Sequence, residues 1–124
     1  MTGINSEREI AEEVKRNSAI DVINLAGLTS IQELVELLRL AKGCITNDTG
    51  TMHIAAMVGV PTLAIFSSRQ SPTHWFPLGQ NIIALFSALN CKFCYDDGCE
   101  KIDCLKMIEP FHVKEALAKV LKVK

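Results

Sequence analysis

The chain has 124 residues, 48% of them hydrophobic and 22% charged, with a formal net charge of −1. That length suits one domain with a substantial core, and the near-neutral balance excludes the basic footprint of a nucleic-acid binder. No apolar run is long enough to span a membrane, and the N-terminus lacks the basic-then-apolar pattern of a secretory signal. The expected location is therefore the cytoplasm, where the five cysteines face a reducing background and disulfides are rare.

The first helix is expected after Ser6-Glu7-Arg8-Glu9, read as a capping box, with Ile10, Ala11 and Val14 at helical spacing. Ile20 to Leu25 is a β-branched run that predicts a strand, and Ala26-Gly27-Leu28-Thr29 predicts a turn. A second capping box, Ser30-Ile31-Gln32-Glu33, opens a one-sided helix whose stripe is Ile31, Leu34, Val35, Leu38 and Ala41, closed by Gly43. Cys44-Ile45-Thr46 predicts a brief strand, and residues 47–51 a turn. A helix through His53 to Met57, poor in charge and so expected to be buried on most sides, stops at Gly59 and Pro61. Thr62 to Phe66 predicts a buried parallel strand. A polar loop over Ser67 to Gln80, a last strand over Asn81 to Phe86 and a cysteine-bearing loop over Cys91 to Cys104 follow. Pro110 then starts a helix with Val113, Ala116, Leu117, Val120 and Leu121 on one face. The alternation predicts an α/β, Rossmann-like domain over residues 1–124, a parallel sheet with helices on both faces. Such a domain normally opens with a strand. Thr2-Gly3 looks like the stub of one, so the expected sheet lacks its first strand and the chain reads as part of a larger enzyme.

The segment Asn47-Asp48-Thr49-Gly50-Thr51-Met52-His53 carries the chemistry. It joins a strand to a helix, and open α/β sheets bind ligands at the carboxyl ends of their strands. The amides of Thr49, Gly50 and Thr51 would stand at a helix N-terminus, where free donors and the macrodipole favour a phosphate. Gly50 would let it approach, and the hydroxyls of Thr49 and Thr51 would add donors. Asp48 at the rim could accept bonds from sugar hydroxyls, and His53 shares the helix face of Thr49. The plainer alternative is an ordinary N-cap and a core histidine.

The stretch Asp48-Thr49-Gly50, His53, Ala55-Ala56, Gly59, Pro61 resembles the signature of glycosyltransferase family 9, the bacterial heptosyltransferases. Phe66, Pro72, Pro77 and Gly79, the Leu25-Ala26-Gly27 run, Gly3 with Glu7 or Glu9, and the cysteine loop extend the resemblance over nearly the whole chain. Ser67 stands where the family usually has glycine. The resemblance implies the C-terminal, nucleotide-sugar-binding half of a GT-B enzyme of lipopolysaccharide core synthesis. It implies an inverting transfer from a nucleotide-sugar donor, commonly ADP-heptose, with no cofactor required. A separate N-terminal domain would hold the lipid A–core acceptor and supply the catalytic carboxylate, leaving no catalytic residue in this chain. Thr49, Gly50 and Thr51 would hold the diphosphate, Asp48 the sugar, and His53 would support the turn. Gly27 and Leu28 would flank the base.

Cys91, Cys94, Cys99 and Cys104 have the spacing of a zinc knuckle, so a structural zinc site is an open alternative to reduced thiols. The acidic residues of that loop argue against a nucleic-acid contact. Trp75 and Phe76 either cover the cleft or anchor their loop, and Arg69 either approaches a phosphate or is a solvated arginine. The lysines of the last helix complement its dipole and offer a weak attraction to the inner membrane surface. Two further function classes compete: a nucleotide- or phosphate-holding α/β module without transfer, and a zinc-knuckle interaction protein.

Overall fold

The computed structural model describes residues 1–69, 72–87 and 99–122. The chain divides into two compact units, Met1–Leu37 and Leu38–Lys124.

In the first unit a 3-10 turn at Asn5–Glu7 leads into α1, Arg8–Arg16. The expected box on Ser6 is displaced: the amide of Ile4 donates to the carboxylate of Glu7 at 2.8 Å. Gly3 accommodates that reach, because a Cβ there would meet Glu7 Oε2 at 2.5 Å. Residues 20–25 form no regular strand, contrary to the sequence expectation. Their local preference for extension is real, but a ladder also needs a partner of comparable length. Here the amides of Leu25 and Gly27 donate to the carbonyls of Met1 and Gly3 at 2.8 and 2.9 Å. Buried Asn24 ties this segment to α1, donating to the Arg8 carbonyl at 3.1 Å and to Glu12 at 2.8 Å. Its own Oδ1 accepts the amide of Ala26 at 3.0 Å, so the buried amide group is satisfied at both ends. The turn then requires Gly27, whose φ is +72° and whose absent Cβ would stand 2.8 Å from Asn5 Cα.

Helix α2, Ile31–Leu40, begins with the expected box. Ser30 donates its amide and hydroxyl to Glu33 Oε2, each at 2.7 Å, and Glu33 returns its amide to Ser30 Oγ at 3.3 Å. These bonds hold the Glu33 carboxyl below its ordinary value, the backbone bond from Ser30 first and the hydroxyl second.

The second unit is built on a three-stranded, all-parallel sheet of β1 (Cys44–Asn47), β2 (Thr62–Ile65) and β3 (Ile82–Leu85), in that order. The registers align Asn47 with Ile65 and Ile65 with Leu85, so the strands end at one level. Successive residues of β2 point to opposite faces, and each meets its own helix. Ala64, with Phe66 and Ala84, packs with Met52 of α3, Gly50–Val58. Leu63 packs with Ala116 and Val120 of α6, Pro110–Lys122. The sheet is thus covered on both faces, as expected for a Rossmann-like α/β fold. Gly59, at φ +77°, ends α3 in the left-handed conformation. Seven of the nine residues of α3 are buried or half-buried, as its composition suggested, and Met57, 84% exposed, marks its open side. Two further departures are short helices inside expected loops: α4 at Pro72–Trp75 and α5 at Asp103–Lys106. Each is a single turn, too short for helical periodicity to register. Among the described residues no helix is long and apolar enough to cross a membrane.

Candidate functional site

A cleft of about 660 Å³ opens in the second unit at the carboxyl ends of β1 and β2. Asn47 and Asp48 enter it from the end of β1, Thr49, Gly50 and His53 from the start of α3. Ile65, Ser67 and Arg69 follow β2, and Trp75 of α4 and Leu105 of α5 complete the wall.

The turn out of β1 is shaped by hydroxyls. Thr46 Oγ1 donates to the Asn47 carbonyl at 3.0 Å. Thr49, the N-cap residue with extended φ and ψ of −143° and 174°, makes no side-chain cap. Its hydroxyl reaches the Asn47 carbonyl only at 3.5 Å, long for such a bond. The start of α3 therefore carries no side-chain cap, and Gly50 brings it to the cleft, the arrangement that favours an anion. Gly50 has no positive φ, and nothing lies within 4 Å of the position a Cβ would take. The fold does not require glycine there. What the missing side chain leaves is room above the helix start.

Asp48 is an exposed residue whose carboxyl is partly desolvated, which raises it above the ordinary carboxylate value, while the charge of nearby His53 partly opposes the rise. Desolvation makes the ionised carboxylate more costly here, and hydrogen-bond donors on a ligand would offset that cost. Thr51 lies in the first turn but outside the cleft lining. Gly27 and Leu28 belong to the first unit, where the backbone conformation of Gly27 and its closeness to Asn5 account for the glycine. Leu28 is 59% exposed.

Of the expected knuckle, Cys91 and Cys94 lie outside the described residues. Cys99 and Cys104 are half-buried free thiols. Among the described residues no group of three or more His, Cys, Asp or Glu side chains could hold a metal. Cys44 is half-buried at the start of β1, and burial pushes its thiol up, toward an unreactive form. Sequence reasoning did not place Asn47, Ile65, Ser67 or Leu105 in the cleft. Ser67 had a signal, as the departure from the family's glycine directly after Phe66. Leu105 had none, because its place depends on how a single helical turn packs.

The model of glycosyltransferase family 9 (heptosyltransferase) matches residues 1–104. The chain is 34% identical over 80 residues to lipooligosaccharide heptosyltransferase 2 of Haemophilus influenzae, an alignment covering 61% of this chain and 23% of that protein. It is 29% identical over 126 aligned residues to lipooligosaccharide heptosyltransferase 2 of Campylobacter jejuni, covering 94% of this chain and 38% of that protein. The solved structure of the Escherichia coli ADP-heptose lps heptosyltransferase II superposes with a TM-score of 0.82 at 26% identity, over 97% of this chain and 35% of that one. The chain thus spans well under half the length of these relatives.

Proposed function

The chain belongs to glycosyltransferase family 9, the heptosyltransferases, and from that premise we propose that it is the donor-binding part of a heptosyltransferase-like glycosyltransferase of lipopolysaccharide core synthesis. The observation that carries the reading is the uncapped start of α3, open to the cleft above Gly50. A nucleotide-sugar diphosphate is the anion such a helix start suits. The amides of Gly50 and Thr51 and the Thr49 hydroxyl donate to its oxygens. Arg69, lining the same cleft, adds positive charge. Asp48 accepts hydrogen bonds from hydroxyls of the transferred sugar, and His53 opposes the Asp48 charge and steadies the turn. Binding at a fixed diphosphate presents the anomeric carbon in one orientation, the positioning half of catalysis. The relatives' names, which mention ADP-heptose, lps and lipooligosaccharide, support the chemical class we propose: an ADP-heptose donor and an acceptor of the lipid A–core type. The acceptor and the group that activates it are assigned to parts of the enzyme other than this chain.

The test is an NMR titration of the chain with ADP, UDP and inorganic phosphate. The Gly50 and Thr51 amides shift with a nucleoside diphosphate at concentrations where inorganic phosphate has no effect. Gly50→Ala keeps the fold, since open space surrounds the new methyl and alanine favours a helix by about 1 kcal/mol, yet weakens the nucleotide at least about tenfold by crowding the approach to the amides. Equal affinity in Gly50→Ala would reject the diphosphate site.

A further inference from the structure

Trp75 is the one tryptophan of the chain. It lines the cleft and remains 57% exposed. An indole so placed anchors little of the core. It offers an apolar face to a cleft whose lining also holds the polar side chains of Asn47, Asp48 and Ser67. Leu105 of α5 and Ile65 of β2 add further apolar groups to the lining. Well-formed ligand sites combine apolar walls with a few placed polar groups, and a flat aromatic beside a carboxylate suits one kind of partner in particular. A pyranose ring has one face of C–H groups and an edge of hydroxyls. The ring face covers an indole while the hydroxyl edge donates to Asp48 and Asn47.

The order of groups along a nucleotide sugar favours the sugar over the base for this position. The sugar is joined directly to the phosphate that α3 would hold, one C–O–P linkage from the Gly50 amide. The base is further away, beyond a second phosphate and a ribose. Asp48 points the same way, because a carboxylate beside bare phosphate is repelled, whereas hydroxyls between them satisfy both. Resting on the donor-cleft reading above, we infer that Trp75, with Leu105, forms the platform that receives the pyranose ring of the donor sugar and so takes part in selecting which sugar is transferred. Trp75 is a specificity residue, and it takes no part in bond making.

Because Trp75 is the sole tryptophan, its fluorescence reports this position alone. The chain is titrated with inorganic pyrophosphate, ADP and ADP-heptose while the Gly50 amide is followed in parallel. The expected result is a Gly50 shift with ADP and with ADP-heptose, and a blue-shifted Trp75 emission with ADP-heptose only. Trp75→Ala, a surface change that spares the core, is expected to bind ADP-heptose about tenfold more weakly, the size of one aromatic packing interaction, with ADP affinity unchanged. Trp75→Phe recovers part of the loss. A Gly50 shift accompanied by the same Trp75 emission with ADP and ADP-heptose overturns the platform and leaves the donor cleft standing: the indole then meets the base or nothing. The absence of any Gly50 shift removes the donor cleft itself, and the platform with it.

Discussion

Asp48 is asked to serve two ends that conflict. Its carboxyl is raised by burial, with His53 pulling the other way. The folded-state value therefore lies above the unfolded one, so ionisation of Asp48 costs the fold. That cost is absent below the ordinary carboxylate value and grows as pH rises through the shifted one. Asp48→Asn is expected to match the parent chain in urea unfolding near about pH 3 and to be slightly more stable near about pH 7. The same variant loses sugar-dependent affinity, since an amide replaces a group that only accepts. A variant less stable than the parent at neutral pH would mean that other contacts of the carboxylate outweigh its desolvation. At this scale the sequence was readable where an interaction is local. The turn from Asn47 to His53 is contiguous, and its position at a strand end and a helix start follows from its neighbours. Trp75, Arg69 and Leu105 reach the same cleft from separate elements, and no spacing rule in one chain reports that convergence. The Thr49 hydroxyl, expected to add a donor for a phosphate, lies at the limit of hydrogen bonding to the Asn47 carbonyl, a contact that a ligand oxygen can displace.

Among the elements, Gly27 and Gly59, the two glycines with positive φ among the described residues, separate two reasons for glycine. Gly59 at φ +77° has open space around it, so an alanine there meets only backbone strain. Gly59→Ala is expected to cost roughly 1 kcal/mol, the usual penalty of a left-handed L-residue. Gly27 at φ +72° has that strain and also the Asn5 backbone at 2.8 Å, so Gly27→Ala should cost roughly 2 kcal/mol or more. Hydrogen exchange at Leu25 and Gly27, whose amides bond Met1 and Gly3, reads the difference in the first unit. Equal losses in the two variants would mean that the turn at Asn5 yields easily. Element legibility followed length and partner. The Ser30–Glu33 box and the stripe of α2 were readable because both are set within one helix. The box at Ser6 was placed wrongly because a 3-10 turn shifts the helix start, leaving Glu7 rather than Glu9 to reach back. The run Ile20 to Leu25 has strand composition, but whether a strand forms depends on what lies beside it, which composition does not state.

The second unit as a whole depends on a thin core. Leu63 has no exposure and faces α6, while Met52 has none and faces Ala64 across the other side of the sheet. With three strands and few buried side chains, each large one counts for much. Leu63→Ala is expected to lose about 2–5 kcal/mol, a large fraction of the stability of a unit of this size. Met57→Ala, at an 84% exposed site on α3, should change stability by no more than about 0.5 kcal/mol. Urea titration of both variants decides the matter, and similar midpoints would show that Leu63 is not central. The α/β class and the two covered faces were legible from the alternation of elements, because buried parallel strands carry unbroken apolar runs such as Thr62 to Phe66.

The common level at which Asn47, Ile65 and Leu85 end the strands has a consequence for descent. The segments that leave β1 and β2 there are ones that meet the cleft, while residues that hold the sheet, Leu63 and Met52 among them, lie outside its lining. Drift in those outgoing segments can change a cleft side chain without touching Leu63 or Met52. A replacement such as Ser67 for the family's usual glycine is then a permissible experiment of evolution. Change in this fold can then proceed one loop at a time.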